Sequence, residues 1–280
     1  MNPIIIIGAP RSGTNLLRNI LTSFNGASTW GCDEIPYIWR YGNKEFPTDI
    51  LTPEMVTPKI KKYIRNHFEK ISRKMKCNYV IEKTCANSLR VDYLDKIQPN
   101  AKYIYIKRNG IDAVYSIMKR WNAQVSYLYT LRKLKYVPLS SIPYYGFHYI
   151  NNRFYKMRNK NRLKFWGPRF TKTEELSNLS LEEVSAKQWV ACVDRSNASF
   201  KKIDPSRVYK LTYENFVTSS QDQIEKMAEF IGVSFEDNIQ FPSVNDLSIG
   251  KGLRNLSTSQ IELIKPIIKR TMIENKYPCV

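Results

Sequence analysis

Four short, largely apolar runs stand along the chain, at 4–7, 79–81, 103–106 and 208–211, the first three unbroken and the last interrupted by Lys210. Runs of this kind suit strands buried on both faces, as in a parallel sheet. Between them apolar residues recur at helical spacing: from the end of the first run to about Phe24, then over 54–74, 88–97, 110–121, 181–203, 221–231 and 259–273. A loop rich in Gly and Pro follows the first helix. Strand alternating with helix predicts an α/β fold of three layers, α/β/α, around a central parallel sheet of four to five strands, with ligands at the strands' carboxyl ends. The 280 residues hold no repeat, low-complexity tract or long linker and are read as a single domain, 1–280, carrying a basic, mainly helical insertion at about 122–180.

The end of the first run carries chemistry. Ile7-Gly8-Ala9-Pro10-Arg11-Ser12-Gly13-Thr14-Asn15 passes from strand through a glycine-bearing turn into a helix, so unpaired N–H groups at the helix start face the turn and attract an anion. A nucleotide kinase or NTPase loop would place Lys after the second glycine; here that residue is Thr14, and the nearby cation is Arg11. The phosphates are therefore expected to be held without the usual lysine. A second anion site follows the third run. Arg108 falls at the strand end, while Ser116 and Arg120, four residues apart, share one face of the next helix. Guanidinium groups and a hydroxyl there suit a phosphate lying away from the first loop, and two separate sites suggest a doubly phosphorylated nucleotide.

These paired elements resemble the sulfotransferase family, which moves a sulfuryl group from 3′-phosphoadenylyl sulfate (PAPS) to a hydroxyl or amine on a P-loop-like fold. The Pro-Arg-Ser-Gly-Thr form of the loop is most similar to the tyrosylprotein and microbial carbohydrate branches. The resemblance implies that Arg11, Ser12, Gly13, Thr14 and Asn15 bind the 5′-phosphosulfate, and that Arg108, Ser116 and Arg120 bind the 3′-phosphate. It extends to the Asp33-Glu34 loop, to Glu82-Lys83-Thr84 after the second run, to the Thr212-Tyr213-Glu214 segment, and to Gly250-Lys251-Gly252, where a loop closing over the cofactor is expected. Tyr213 and Lys251 thereby join the cofactor-binding set, with Ser248 as a partner for Lys251. Asn15 stands where Thr or Ser is more usual, and the closing loop lacks the Trp often found beside its Lys.

The chemistry can also be argued from its demands. In-line sulfuryl transfer needs an acceptor oxygen that loses its proton, stabilised equatorial oxygens and a neutralised leaving phosphate. With no lysine in the cradle and no metal-type carboxylate after a buried strand, Arg11, Lys83 and the loop N–H groups are expected to supply the positive charge, without a metal. Glu34 is the expected general base, with Asp33 the runner-up. His67 and His148 stand alone, and Trp189 reads as core.

Charge narrows the partners. Lys and Arg number 44 against 25 acids, a formal charge of +19, which points to anionic partners. From Ala113 to Thr173 there is no Asp or Glu, while Lys119, Arg120, Arg153, Arg158, Arg169 and other cations interleave with aromatics such as Tyr127, Tyr129, Tyr136, Tyr144, Tyr145 and Phe154. That surface suits an acidic glycan or a lipid-linked sugar, with peripheral contact to an anionic membrane. A peptide tyrosine is the second acceptor reading, and a non-enzymatic protein binding RNA or another anionic polymer the competing class. Five scattered cysteines show no metal spacing, and the first strand begins almost at Met1; a cytoplasmic protein with reduced thiols is expected.

Overall fold

The structure, a computed structural model, describes residues 1–122, 136–138, 141–158, 163, 165–234 and 246–278. Its centre is a five-stranded, all-parallel sheet of β1 (Asn2–Ile7), β2 (Ala27–Ser28), β3 (Tyr79–Lys83), β4 (Lys102–Lys107) and β5 (Val208–Thr212), in the order β2-β3-β1-β4-β5. The four apolar runs form β1, β3, β4 and β5. The fifth strand, β2, has two residues, too few to carry a pattern, and lies in the loop rich in Gly and Pro.

Placement explains why β1 is isoleucine throughout its second half. It sits between β3 and β4, with Ile6 registered to Lys83 on one side and to Ile104 on the other. Ile5 and Ile7 face a cluster with Trp39, Phe68, Val80, Tyr103 and Tyr105. Ile4 and Ile6 face the opposite layer with Leu17, Ile81, Ile106 and Phe216. On the first face lies α3 (Pro58–Met75), which buries Ile60, Ile64, Phe68 and Ile71 at helical spacing; its start is set by Pro58 and by Thr57, whose hydroxyl accepts the Ile60 N–H at 3.2 Å. That cap starts the helix later than the expected 54–74 pattern, at Pro58, leaving a separate 3₁₀ turn at Pro53–Met55. α4 (Val91–Ile97) joins the same face. On the other lie α1 (Thr14–Leu21) and α9 (Ser220–Ile231).

A third apolar cluster joins α5 (Gly110–Asn122), α7 (Leu181–Phe200) and α11 (Thr258–Glu274) around the fully buried Trp189, as its core reading expects. The short helices α2 (Pro36–Trp39), α8 (Tyr213–Thr218) and α10 (Lys251–Asn255) were not legible as periodic stretches. α6 (Ile142–Arg158) lies in the predicted insertion. Tyr127, Tyr129, Arg132, Lys133, Lys135, Lys160, Arg162 and Lys164 of that segment lie outside the described residues. No helix among the described residues is long and apolar enough to cross a membrane.

Because every strand is parallel, the loops after β1, β3, β4 and β5 open at one edge of the sheet. Gly8 allows the first of them to lie against its neighbour: a Cβ there would stand 2.8 Å from the Ile106 carbonyl oxygen and 2.9 Å from Thr14 Cγ2. Gly8→Ala is therefore expected to lower the unfolding free energy by about 1–3 kcal/mol through overpacking, measured by urea denaturation. An unchanged midpoint would contradict this packing.

Candidate active site

The first loop turns on two residues in the left-handed region, Arg11 at φ 68° and Gly13 at φ 87°. Gly13 starts α1 without a side-chain cap, so the first-turn N–H groups have no acceptor within the helix. Ser12 is fully buried, and among the described residues its Oγ has no hydrogen-bond partner. Thr14 is buried with its Oγ1 3.7 Å from Cys85 Sγ, whereas Asn15 is exposed on the first turn.

Arg108, at the end of β4, joins the loops around it. Its Nη1 donates to the Arg11 carbonyl at 2.9 Å and its Nη2 to the Ser248 carbonyl at 2.7 Å. Its guanidinium lies 4.4 Å from the centre of the Tyr213 ring, and its buried Nε has no partner among the described residues. The Tyr213 hydroxyl shares a 2.5 Å hydrogen bond with Ser248 Oγ. The same ring closes on the first loop, since a Cβ on Gly13 would fall 2.5 Å from it. Arg11 Nε reaches across to Ser116 Oγ at 3.0 Å, so the two predicted anion sites adjoin. Arg120, exposed one turn beyond Ser116, and Arg108 both repel Arg11. Desolvation first, then Arg120, holds the Arg11 guanidinium below its ordinary value.

Asp112 does something other than neutralise these arginines. Its carboxylate, buried in the first turn of α5, accepts the Gly250 N–H at 2.8 Å and the Gly252 N–H at 2.7 Å. The loop carrying Lys251 is thus tied to the helix of Ser116, with the Lys251 side chain exposed. Ser248, expected as a partner for Lys251, instead meets Arg108 and Tyr213. Glu214 accepts the Asn109 N–H at 2.8 Å and the Tyr277 hydroxyl at 3.1 Å, which fixes the turn after Arg108.

The structure separates the two carboxylates considered for the base. Asp33 pairs with Arg18 at 2.8 Å, beside a cleft of about 290 Å³ that both residues line with Trp30 and Cys32. Glu34 meets the Lys83 ammonium at 2.8 Å and the Cys85 N–H at 3.4 Å, at the end of β3. Lys83 is almost wholly buried and Glu34 partly so. Glu34, Lys83 and, through Cys85, Thr14 therefore form one neighbourhood at the edge of the first loop. Burial pushes the Cys85 thiol up to about 12, which keeps it protonated.

Next to Lys83 in the chain lies a polar group to which the Glu82-Lys83-Thr84 motif alone gives no role. Glu82, fully buried, accepts from Thr84 Oγ1 at 2.5 Å and from Asn87 Nδ2 at 2.8 Å. Desolvation raises its carboxyl to about 7. The signal available was the acid itself, in a strand otherwise buried.

A profile of the sulfotransferase family matches residues 3–163 and 157–237. The chain belongs to that family. Over 287 aligned residues this sulfotransferase-family chain is 21% identical to an uncharacterized protein of Aquifex aeolicus (strain VF5), covering 97% of the chain but about 30% of that relative's length. In fold it is similar to the sulfotransferase domain from the curacin biosynthetic pathway (TM-score 0.57, 13% identity, 100% of this chain and 99% of that one). It is also similar to the sulfotransferase domain of the Synechococcus PCC 7002 olefin synthase (TM-score 0.53, 14% identity, 99% and 95%) and to sulfotransferase STF9 from Mycobacterium avium (TM-score 0.55, 11% identity, 99% and 77%).

Glu82 gives the site a pH signature. A carboxyl whose native value of about 7 stands above its unfolded value of 4.5 binds more protons when folded. Stability then falls as pH rises between those values, at up to about 1.4 kcal/mol per pH unit, and levels off above. Urea unfolding of wild type against Glu82→Gln is expected to show the wild type losing ground from pH 4.5 to about 7. A constant difference across that range would contradict the buried placement.

Proposed function

We propose that this chain transfers a sulfuryl group from PAPS to an acceptor hydroxyl, most readily one on a carbohydrate or glycolipid. The observation that carries the reading is the gathering of Arg108 and Arg120 around Arg11, which itself meets Ser116, beside two buried groups, Ser12 Oγ and Arg108 Nε, that have no partner among the described residues. Repelling cations with unused donors form a cradle fitted to an anion. Ser12, Gly13, Thr14 and Asn15 would hold the 5′-phosphosulfate with Arg11. Arg108, Ser116 and Arg120 would hold the 3′-phosphate, with Tyr213 and Lys251 closing the site.

The donor supplies an activated sulfur whose bond to the bridging phosphate oxygen breaks as the bond to the acceptor oxygen forms. Glu34 takes the acceptor proton. Lys83, which orients the Glu34 carboxylate, and Arg11 balance charge on the sulfuryl and leaving-phosphate oxygens, so no metal is invoked. The leaving product is adenosine 3′,5′-bisphosphate.

A sugar acceptor is supported by aromatics close in sequence or space to Glu34. Tyr37, three residues on, packs edge-to-face with Tyr145 of α6 at 4.5 Å, and Tyr145 meets Tyr144 at 5.2 Å. Exposed Phe147, Ile150 and Phe154 on α6, in a segment without acids, support peripheral contact with an anionic membrane.

Adenosine 3′,5′-bisphosphate is expected to raise the melting temperature well above any effect of ATP, and Arg108→Ala or the more exposed Arg120→Ala to weaken that response. Stabilisation by RNA, with none from the bisphosphate, would overturn the enzyme reading in favour of polymer binding.

Glu34→Gln is expected to lower turnover with labelled donor and a panel of glycans, lipid-linked sugars and peptides by about 10²–10⁴-fold, with bisphosphate affinity nearly intact. Unchanged turnover would remove Glu34 as the base.

A further inference from the structure

The segment that follows Glu34 is pinned at both ends by buried polar groups. α2 has four residues, too few to hold itself, and its N-cap residue Ile35 makes no side-chain capping bond. At its start, the Ile35 N–H donates to Thr84 Oγ1 at 3.1 Å, and that hydroxyl donates onward to Glu82 Oε1. At its end, Arg40 Nη1 donates to Asp49 Oδ1 at 2.8 Å. One chain joins the two anchors: Glu82 Oε2 accepts from Asn87, Asn87 Oδ1 accepts from Arg90 Nε at 2.9 Å, and Arg90 Nη1 donates to Asp49 at 3.2 Å. Asp49 also accepts the backbone N–H of Arg169, at 2.8 Å, from the segment that returns from the predicted insertion.

Strand geometry divides the labour. Successive side chains of β3 point to opposite sides. Lys83 meets the Glu34 carboxylate, while Glu82 reaches the backbone of the next residue through Thr84. Buried ionic groups cost desolvation that well-packed apolar side chains would avoid, so a network of this kind is most useful where it holds one geometry.

We propose that Thr84, oriented by Glu82, is a positioning residue for transfer: its hydroxyl fixes the backbone directly after Glu34 and so sets where the Glu34 carboxylate stands relative to the acceptor. The inference rests on the reading of Glu34 as the base. A misplacement of about 1 Å can cost on the order of a hundredfold in rate. Thr84→Val removes the hydroxyl and keeps the shape; Thr84→Ser restores it.

The experiment measures kcat, the KM of both substrates, bisphosphate affinity and hydrogen exchange of the Ile35 amide in wild type, both Thr84 variants, Glu34→Gln and the Thr84→Val/Glu34→Gln double variant. Thr84→Val should lower kcat about ten- to a hundredfold with bisphosphate affinity within about twofold, and raise Ile35 exchange, while Thr84→Ser recovers both. In the double variant the Thr84 change should add little, because both act through one group. Wild-type kcat in Thr84→Val, or a full additional loss in the double variant, overturns the positioning role and leaves the proposed activity standing. Unprotected Ile35 exchange in wild type overturns it even if Thr84→Val does not fold. Absence of sulfuryl transfer by wild type removes the activity, and the positioning role with it.

Discussion

A single guanidinium ties the active edge of the sheet together. Arg108 leaves β4 and meets the carbonyl of the β1 loop, the carbonyl of Ser248 and the face of Tyr213, so three chain segments far apart in sequence converge on one cation. Parallel strands make this convergence available, because β1, β4 and β5 deliver their loops to the same edge. The cation makes it specific. A side chain without N–H donors would leave two partly buried carbonyls without this partner.

Around that tie the site divides into two electrostatic zones. On the α5 side the cations Arg11, Arg108 and Arg120 crowd together, and the nearby acid, Asp112, is spent on two backbone N–H groups. On the β3 side charge is balanced locally, with Glu34 against Lys83 and Asp33 against Arg18. The first zone thus keeps a surplus of positive charge, while the second is locally neutral. The difference follows from which carboxylates the fold has already engaged.

Four of the five strands, most long helices and the placing of Arg11 and Arg108 in loops at strand ends could be read along the chain because each rests on local pattern: a run, a period, a turn after a strand. What escaped the reading depends on contacts across the chain. Asp112 lies in the same helix as Ser116 and Arg120, yet its carboxylate accepts the backbone N–H groups of Gly250 and Gly252, well over a hundred residues away. The Glu82, Asn87, Arg90 and Asp49 chain involves residue types that are ordinarily solvated, and only the fold buries them. α8 was a missed local signal, for Thr212 caps it by accepting the Asn215 N–H at 3.2 Å, a spacing visible in the sequence. Glu34 was preferred to Asp33 without any sign of their partners, which are Lys83 for Glu34 and Arg18 for Asp33.

The contact between Gly13 and the Tyr213 ring reaches into the history of the chain. The glycine is usually credited to the anion, which needs bare backbone, yet here an aromatic ring two hundred residues away imposes the same requirement from the other side. Drift at either position is thereby constrained by the other. A lineage that enlarged residue 13 would first have to shrink or turn the ring, and in doing so would uncover the guanidinium beneath it.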